Sequence, residues 1–217
     1  MRAEEYASLV VACESGDPFK VLVVTILSQS CTDVAALKAY RALERRVGVT
    51  PAELGSAHIE DIEASIRAAG LQHQKTSALN ALTGEITKFA AGLRGVLALP
   101  VEDALKTLMS LPKVGPKTAD VLLSVWGRPT VSVDTHFGRV ARRLGLAPDT
   151  MDYEKLRSAV LDAFPESEYR NIPLLFMAFG RRICKAKRPL CPTCPVGALC
   201  SYPEKTTGLS GEAADGT

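Results

Sequence analysis

Helical periodicity is the feature that most constrains the fold of this chain. Along most of its 217 residues, apolar side chains recur at intervals of three and four, which places them on one face of an α-helix. Residues 21–27 are ambiguous, because their β-branched content also suits a buried strand. Asp17 and Pro18 precede them as a helix N-cap and first helical residue, and no second strand-like run is present to pair with. The sequence therefore predicts an all-α fold.

Glycine and proline divide the chain into separate helical stretches. Helices are predicted at residues 34–46, 57–68, 72–90, 101–109, 117–126, 136–144, 152–163 and 171–182. Beyond Pro203 the residues become small and polar, so residues 204–217 are predicted to be a disordered tail.

Composition and the absence of targeting signals indicate in which compartment the protein is expected. A hydrophobic content of 47% in a chain of this length can form ample core. Residues 1–13 lack a secretory signal pattern, and the longest apolar stretch, residues 21–27, is too short to span a bilayer. We therefore expect a cytoplasmic protein with no membrane contact.

Cations are concentrated in two places although the formal net charge is only +2. Such clusters can contact a nucleic-acid backbone, or they can form an ordinary solvated face. The first group is Arg139, Arg142 and Arg143, and the second is Arg181, Arg182, Lys185, Lys187 and Arg188.

Four cysteines near the end of the chain have metal-ligand spacing. They follow the pattern C-x6-C-x2-C-x5-C and are Cys184, Cys191, Cys194 and Cys200. A four-thiolate zinc site and a cubane iron–sulfur cluster both fit such a set. The spacing favours the cluster, because zinc modules usually carry two closely spaced cysteine pairs. Two disulfides are the other alternative, and a reducing cytosol disfavours them.

The segment 111–120 is a tight connection between two predicted helices. Pro112 ends the first helix, Gly115 is expected to adopt a backbone conformation closed to most residues, and Pro116 suits the start of the second helix. Backbone amides beside a helix N-terminus form a ready anion site. A plain αα-hairpin is the structural alternative.

Lys117 and Asp134 are the two candidate catalytic residues in the sequence. Lys117 falls in the first turn of a predicted helix, where the positive end of the helix dipole disfavours an ammonium charge. An uncharged amine can attack a carbon centre and form a Schiff base, although many lysines at helix starts are merely exposed. Asp134 precedes another predicted helix and suits an N-cap, and its carboxylate could also stabilise developing positive charge.

In this order, the hairpin with its lysine, the Val-Asp-Thr-His stretch at 133–136 and the four cysteines resemble the endonuclease III family of DNA glycosylases. The resemblance extends from about Phe19 to Tyr202. It implies two helical lobes with a DNA cleft between them. One is a six-helix barrel domain at residues 19–128, which carries the helix-hairpin-helix, and the other is a cluster domain built from residues 1–18 plus 129–203.

The resemblance also implies a function. The expected protein is a base-excision-repair DNA glycosylase with AP lyase activity that removes oxidised pyrimidines through a Schiff base on Lys117 and β-elimination. Asp134 takes the position of the catalytic aspartate, and the four cysteines take those that ligate a [4Fe-4S] cluster. The expected partner is double-stranded DNA with damaged bases or abasic sites, bound by a monomer in the cytoplasm at the nucleoid.

Two departures from the family pattern concern residues expected to bind DNA. Ser30 stands at the usual position of the glutamine that fills the gap left by an extruded base, with Gln29 one residue earlier. Lys113 replaces the first glycine of the hairpin's Gly-x-Gly. The predicted DNA-binding residues are Gln29, Ser30, Lys113, Val114, Gly115, His136 and Arg139.

Two other functions remain open on sequence grounds. A mismatch-specific thymine or uracil glycosylase could use the same scaffold, and Lys117 argues against it. A non-catalytic, metal-stabilised DNA-binding module could use the hairpin only to hold phosphate. An adenine-removing relative would want a carboxylate between Asp17 and Asp33, where the sequence has none.

Overall fold

The structure, a computed structural model, describes residues 6–207. Within that range it contains twelve α-helices and no β-strand, which confirms the all-α prediction. The helices are α1 (Ala7–Ser15), α2 (Pro18–Leu27), α3 (Asp33–Arg46), α4 (Pro51–Ser56), α5 (Ile59–Ile66), α6 (Gln72–Ile86), α7 (Gly92–Ala98), α8 (Val101–Met109), α9 (Pro116–Val125), α10 (Thr135–Arg143), α11 (Tyr153–Ala163) and α12 (Ile172–Arg182). Single 3-10 turns occupy Arg67–Ala69, Glu166–Glu168 and Cys191–Thr193.

The ambiguous stretch at residues 21–27 is helical. It forms most of α2, which begins where the Asp17 carboxylate accepts a hydrogen bond from the Phe19 backbone N–H at 2.8 Å. No residue from 21 to 27 is more than 8% exposed. Helices α1, α3, α6, α7 and α9 pack around α2, so its apolar residues are buried on every side. The β-branched run therefore reflects a central helix rather than a strand.

The first compact unit ends at Thr130 and, in the described part of the chain, comprises residues 6–130. One continuous apolar core joins α1 to α9 and includes the fully buried side chains of Leu22, Tyr40, Leu79 and Leu108. Helix α8 packs against α9 across the hairpin that connects them. This packing fixes the hairpin at both ends.

The second compact unit begins at Val131 and, in the described part of the chain, comprises residues 131–207. Its core packs α10 and α12 together, and the rings of Phe137 and Phe176 meet edge to face with centroids 4.5 Å apart. Val133, Leu156 and Val160 complete the centre of this core.

The resemblance predicts a lobe boundary after residue 128, which stays a prediction; contacts within the chain divide it into two compact units after Thr130. Helix α1 packs against α2, α3 and α9 within the first unit, whereas the resemblance assigned residues 1–18 to the cluster lobe. The barrel organisation and the lobe assignment of residues 1–18 stay predictions.

Across residues 6–207, no helix has the length and apolar character needed to cross a membrane.

Candidate active site and metal centre

The hairpin between α8 and α9 contains a β-turn at residues 111–114. The Val114 backbone N–H donates to the Leu111 carbonyl at 3.2 Å, and Pro112 occupies the second turn position. Lys113 occupies the third, with a φ of +61°. Proline followed by a residue of positive φ is typical of a type II turn, where glycine is preferred at the third position.

The prediction that Gly115 takes the unusual conformation is therefore wrong. Gly115 is the N-cap of α9 with φ −92° and ψ 177°, an extended conformation open to any residue. A Cβ atom built there would meet nothing within 4 Å. The left-handed residue of a type II turn is the third one, and Pro112 occupies the second position. The left-handed conformation therefore falls on Lys113, two residues before Gly115.

We expect replacement of Lys113 by glycine to stabilise the fold and weaken DNA binding. A non-glycine residue in the left-handed region costs on the order of 1 kcal/mol, part of which glycine loses again to chain entropy, so the gain is about 0.5–1 kcal/mol. Loss of the exposed ammonium should lower the slope of log K against log salt by about one phosphate contact. Chemical denaturation and DNA titrations at several salt concentrations measure both effects, and an unchanged slope contradicts the phosphate contact.

Lys117 lies in the first turn of α9, where the sequence placed it. The helix begins at Pro116, and no side chain caps its N-terminus. The Lys117 side chain is exposed, whereas its neighbours Thr118 and Ala119 are buried. The amine is therefore presented to solvent from a fixed backbone, beside the hairpin.

Asp134 is the N-cap of α10, as predicted. Its carboxylate accepts a hydrogen bond from the Phe137 backbone N–H at 2.6 Å. The residue is half-buried. This bond holds one carboxylate oxygen in place and leaves the other to act on a ligand.

His136 and Arg139 belong to the same helix as this cap. The Arg139 guanidinium lies 3.1 Å from His136 Nδ1 and donates to the carbonyls of Gly180, at 2.9 Å, and Cys184, at 3.0 Å. Arg139 thus links α10 to the end of α12 and to the first cysteine of the cluster motif.

Gln29 and Ser30 lie in the loop after α2 and differ in environment. The Gln29 side-chain N–H2 donates to the Lys113 carbonyl at 3.2 Å and lies 3.4 Å from Thr118 Oγ1. Ser30 is exposed and has a φ of +60°. Gln29 therefore joins this loop to the hairpin, and Ser30 is the residue whose side chain is open to solvent.

All four motif cysteines line one cavity, although they are scattered over seventeen residues of chain. They are Cys184, Cys191, Cys194 and Cys200, and none is in a disulfide. The other wall residues are mostly apolar and include Leu144, Phe179 and Ile183. Within residues 6–207, no three His, Cys, Asp or Glu side chains converge as closely as a single metal ion requires.

Arg143 organises the loop that carries these cysteines. Its guanidinium donates to the carbonyls of Lys185, at 2.7 Å, and Ala186, at 3.2 Å, and lies 3.5 Å from Cys184 Sγ. It also stacks on the Tyr202 ring, 4.3 Å from the ring centroid. In the sequence, Arg143 is only one of a group of cations. Its role in holding the cysteine loop was not predicted, because its partners lie more than forty residues away.

The chain segment after Tyr202 closes over the cysteine loop. The Thr206 hydroxyl donates to the Pro189 carbonyl at 2.6 Å and accepts from the Cys191 backbone N–H at 3.3 Å. The Lys205 ammonium donates to the Gly197 carbonyl at 3.0 Å. We call residues 205–206 the C-terminal clasp. They fall in the stretch predicted to be disordered, of which residues 208–217 lie outside the described part of the chain.

The chain is similar over most of its length to known base excision DNA repair proteins. The family model described as HhH-GPD superfamily base excision DNA repair protein matches residues 23–166. Endonuclease III of Thermotoga maritima is 35% identical over 187 residues, which are 86% of this chain and 84% of the relative. Endonuclease III of Escherichia coli K12 is 32% identical over 189 residues, which are 87% of this chain and 85% of the relative.

Solved structures extend the likeness to three dimensions. A trapped covalent intermediate of endonuclease III with DNA is similar with a TM-score of 0.74 and 30% identity, over 93% of this chain and 97% of that one. A thermostable thymine-DNA glycosylase shares the fold with a TM-score of 0.73 but only 22% identity, over 90% of this chain and 93% of that one. Together, the matches to most of its length show that this chain belongs to the HhH-GPD superfamily of base excision DNA repair proteins and, within it, to the endonuclease III family.

Proposed function

We propose that this chain is a base-excision-repair DNA glycosylase with AP lyase activity that acts on oxidised pyrimidines in double-stranded DNA. The observation that carries the proposal is the exposed Lys117 amine at the start of α9, next to the hairpin. A covalent intermediate with DNA is known for a protein that is 30% identical. A lysine in this place supplies the nucleophile that such an intermediate needs.

The proposed reaction begins with extrusion of the damaged nucleotide, because the sugar C1′ atom is shielded inside the base stack. The lone pair of the Lys117 amine forms a bond to C1′, and the C1′–base bond breaks with its electrons leaving on the base. The nitrogen gives one proton to the departing base, the C1′–O4′ bond breaks as the nitrogen lone pair forms the C=N bond, and O4′ takes up a proton from water. The product is a protonated imine. Its nitrogen accepts electron density when C2′ loses a proton, and the C3′–O bond then breaks and releases the 3′-phosphate.

Asp134 is proposed to stabilise the positive charge that develops on the sugar and to assist in deprotonating the Lys117 amine. Its hydrogen bond from the Phe137 N–H orients the carboxylate before any ligand arrives. A charge that is already oriented need not reorganise during the reaction, which is the main source of electrostatic catalysis.

The residues proposed to bind DNA contribute in different ways. Lys113 is exposed at the tip of the hairpin and adds a cation, whereas the Val114 side chain is 5% exposed and anchors the turn in the core. Gly115 exposes backbone beside the α9 N-terminus, a place suited to a phosphate. Ser30 is open to solvent and Gln29 supports it from the hairpin side.

His136 and Arg139, the other two proposed contacts, lie on α10 after Asp134. Both are half-buried, and Arg139 already donates to two protein carbonyls. We propose that they act at the edge of the interface, where a partly exposed guanidinium can still attract phosphate.

We propose that the four cysteines hold a [4Fe-4S] cluster. They line one cavity with mostly apolar walls as free thiols, and four cysteine thiolates are the ligand set that such a cluster takes. When bound, the cluster would stabilise the fold of residues 184–200, which present Lys185, Lys187 and Arg188 to the DNA backbone.

Purified protein should accordingly be brown and contain about four iron atoms per chain. Replacement of Cys194 by serine should remove most of the iron and the visible absorbance, because serine is a poor ligand for such a cluster. The matched control is Cys13→Ser, a change at an exposed cysteine outside the motif, which should keep the full iron content. Metal analysis that finds one zinc per chain instead contradicts the cluster.

We propose that the chain acts as a monomer on chromosomal DNA in the cytoplasm, at the nucleoid, because its proposed substrate is damaged double-stranded DNA. Gel filtration of the iron-loaded protein with and without an abasic-site duplex measures the stoichiometry.

The test of the function is a panel of duplexes, each with one defined lesion, whose products are compared with and without alkaline treatment. An oxidised pyrimidine should yield a strand break without alkali. A break that appears only after alkali, at a mismatched thymine or uracil, supports the monofunctional alternative. Binding without any cleavage supports the non-catalytic module.

A further inference from the structure

Lys75 is a buried lysine that joins two segments of the first unit. It lies in the first turn of α6 and is 5% exposed. Its ammonium donates to the Leu27 carbonyl at 2.7 Å and to the Ala69 carbonyl at 2.8 Å. Leu27 is the last residue of α2 and Ala69 ends the 3-10 turn after α5. One side chain therefore satisfies carbonyls at the ends of two helical segments that are far apart in sequence.

A strained, exposed residue follows each of these two carbonyls. Ser30, three residues after Leu27, has a φ of +60°, and Leu71, two residues after Ala69, has a φ of +52°. Ser30 is exposed and Leu71 is 50% exposed. Left-handed backbone at a non-glycine residue costs on the order of 1 kcal/mol and persists only where the surroundings hold it. The Lys75 bonds provide such a hold for both loops.

Gln29 extends the connection to the hairpin. Its side chain donates to the carbonyl of Lys113 at 3.2 Å, and Lys113 is again a residue of positive φ. Ser30, Leu71 and Lys113 are the non-glycine residues of positive φ that the structure describes in the first unit. All three lie in segments that Lys75 and Gln29 tie together.

Burial of the Lys75 ammonium costs free energy, because the charged group loses its contact with water. Burial lowers the pKa of Lys75, while Cys31, whose Sγ is 4.0 Å from the Lys75 nitrogen, acts in the opposite direction. An apolar side chain on a helix could fill core space without this desolvation cost. A buried lysine is useful when the carbonyls that it binds must be held in defined positions.

We propose that Lys75 is a positioning residue for DNA recognition, which holds the loop at residues 28–31, the loop at residues 70–71 and, through Gln29, the hairpin as one preorganised DNA-contacting surface. The inference rests on the proposed function, in which the hairpin and the loop after α2 contact DNA, and it adds the loop at residues 70–71, where Leu71 is 50% exposed, to the same surface. Preorganisation reduces the ordering cost at the moment of binding. Loss of Lys75 therefore acts on the binding of DNA and leaves the chemistry of Lys117 intact.

The test compares Lys75→Met with Leu82→Ala in the iron-loaded full chain. Methionine keeps the length of the side chain but donates no hydrogen bond. Leu82 is also on α6 and fully buried, so its truncation lowers stability without touching either loop carbonyl. We expect Lys75→Met to raise KM for a lesion duplex about tenfold while kcat at a preformed abasic site changes less than about twofold.

A second measurement does not depend on catalysis. Amide hydrogen exchange should become at least about tenfold faster at residues 28–31 and 70–71 in Lys75→Met. In Leu82→Ala these amides should keep their wild-type rates. If the methionine variant does not fold, Lys75→Gln, which keeps amide donors on a shorter side chain, should show the same rise in KM.

The outcomes separate the inference from the proposed function. If the wild-type protein excises no lesion, the proposed function is lost, whereas the exchange measurement still reports whether Lys75 holds the loops. If the wild type is active and Lys75→Met keeps its KM and its exchange rates, the inference alone is overturned. An equal rise in KM for Leu82→Ala also overturns it, because general destabilisation then explains the effect.

Discussion

Lys117→Gln should abolish covalent trapping of the protein on damaged DNA by borohydride and should lower strand cleavage at abasic sites by at least about a thousandfold. Glutamine occupies nearly the same volume at the exposed start of α9, so the helix and the hairpin should stay intact. The amide nitrogen cannot attack C1′, because its lone pair is delocalised into the carbonyl. Gel electrophoresis after reduction measures the cross-linked complex directly.

The matched control for this prediction is Lys106→Gln. Lys106 is an exposed lysine on the adjacent helix α8, so its loss removes the same charge from the same unit without removing the proposed nucleophile. The control should trap like wild type, and DNA affinity should fall little in either variant. Trapping of Lys117→Gln at the wild-type level, or an equal loss in Lys106→Gln, contradicts the assignment of the nucleophile.

Substitution of Asp134 should also have a large effect on activity. Two different substitutions can separate its role as the N-cap of α10 from the role of its negative charge. Asparagine is as good an N-cap as aspartate, so Asp134→Asn should keep the hydrogen bond from Phe137 N–H and leave stability almost unchanged. Its neutral amide cannot stabilise a cationic sugar, and kcat should fall about a hundredfold to a thousandfold. Asp134→Ala should lose the same activity and about 1 kcal/mol of stability as well. Single-turnover kinetics and denaturation measure the two quantities.

A second capped helix in the same unit gives the control. Asp152 caps α11 by accepting from the Lys155 N–H at 3.1 Å, and it lies outside the sites proposed here. Asp152→Ala should cost a similar amount of stability and leave kcat unchanged. Wild-type kcat in Asp134→Asn shows that residue 134 acts only as a cap.

Local signals in the sequence were sufficient for much of the fold and for part of the site. The caps Asp17 and Asp134 and the proline at the start of α9 depend on neighbours within a few residues, and all three were predicted. Helix α4 had an equally local signal, a capping box between Thr50 and Glu53, yet it was not predicted. Helix α7 was not predicted either, and no side-chain capping bond marks its start.

Long-range hydrogen bonds could not be predicted from the sequence. Lys75 and Leu27 are 48 residues apart, and Gln29 and Lys113 are 84 residues apart. A buried lysine looks in sequence like any other lysine of a helix. The left-handed turn residue was misplaced by two positions because glycine is the usual occupant of such a conformation, and here Lys113 accepts the strain while Gly115 does not need to.

The C-terminal clasp has a practical consequence for work on this protein. The motifs that carry the family resemblance end with Cys200, so a truncation designed from those motifs alone would stop before Lys205 and Thr206. Such a shortened chain would lack the bonds to Pro189, Cys191 and Gly197, which hold together the stretch between the first and last cysteines. Oxygen and chelators would then reach the four thiols more easily, so the shortened chain should lose the proposed cluster faster than the full chain, and a low iron content in it would reflect the choice of end point.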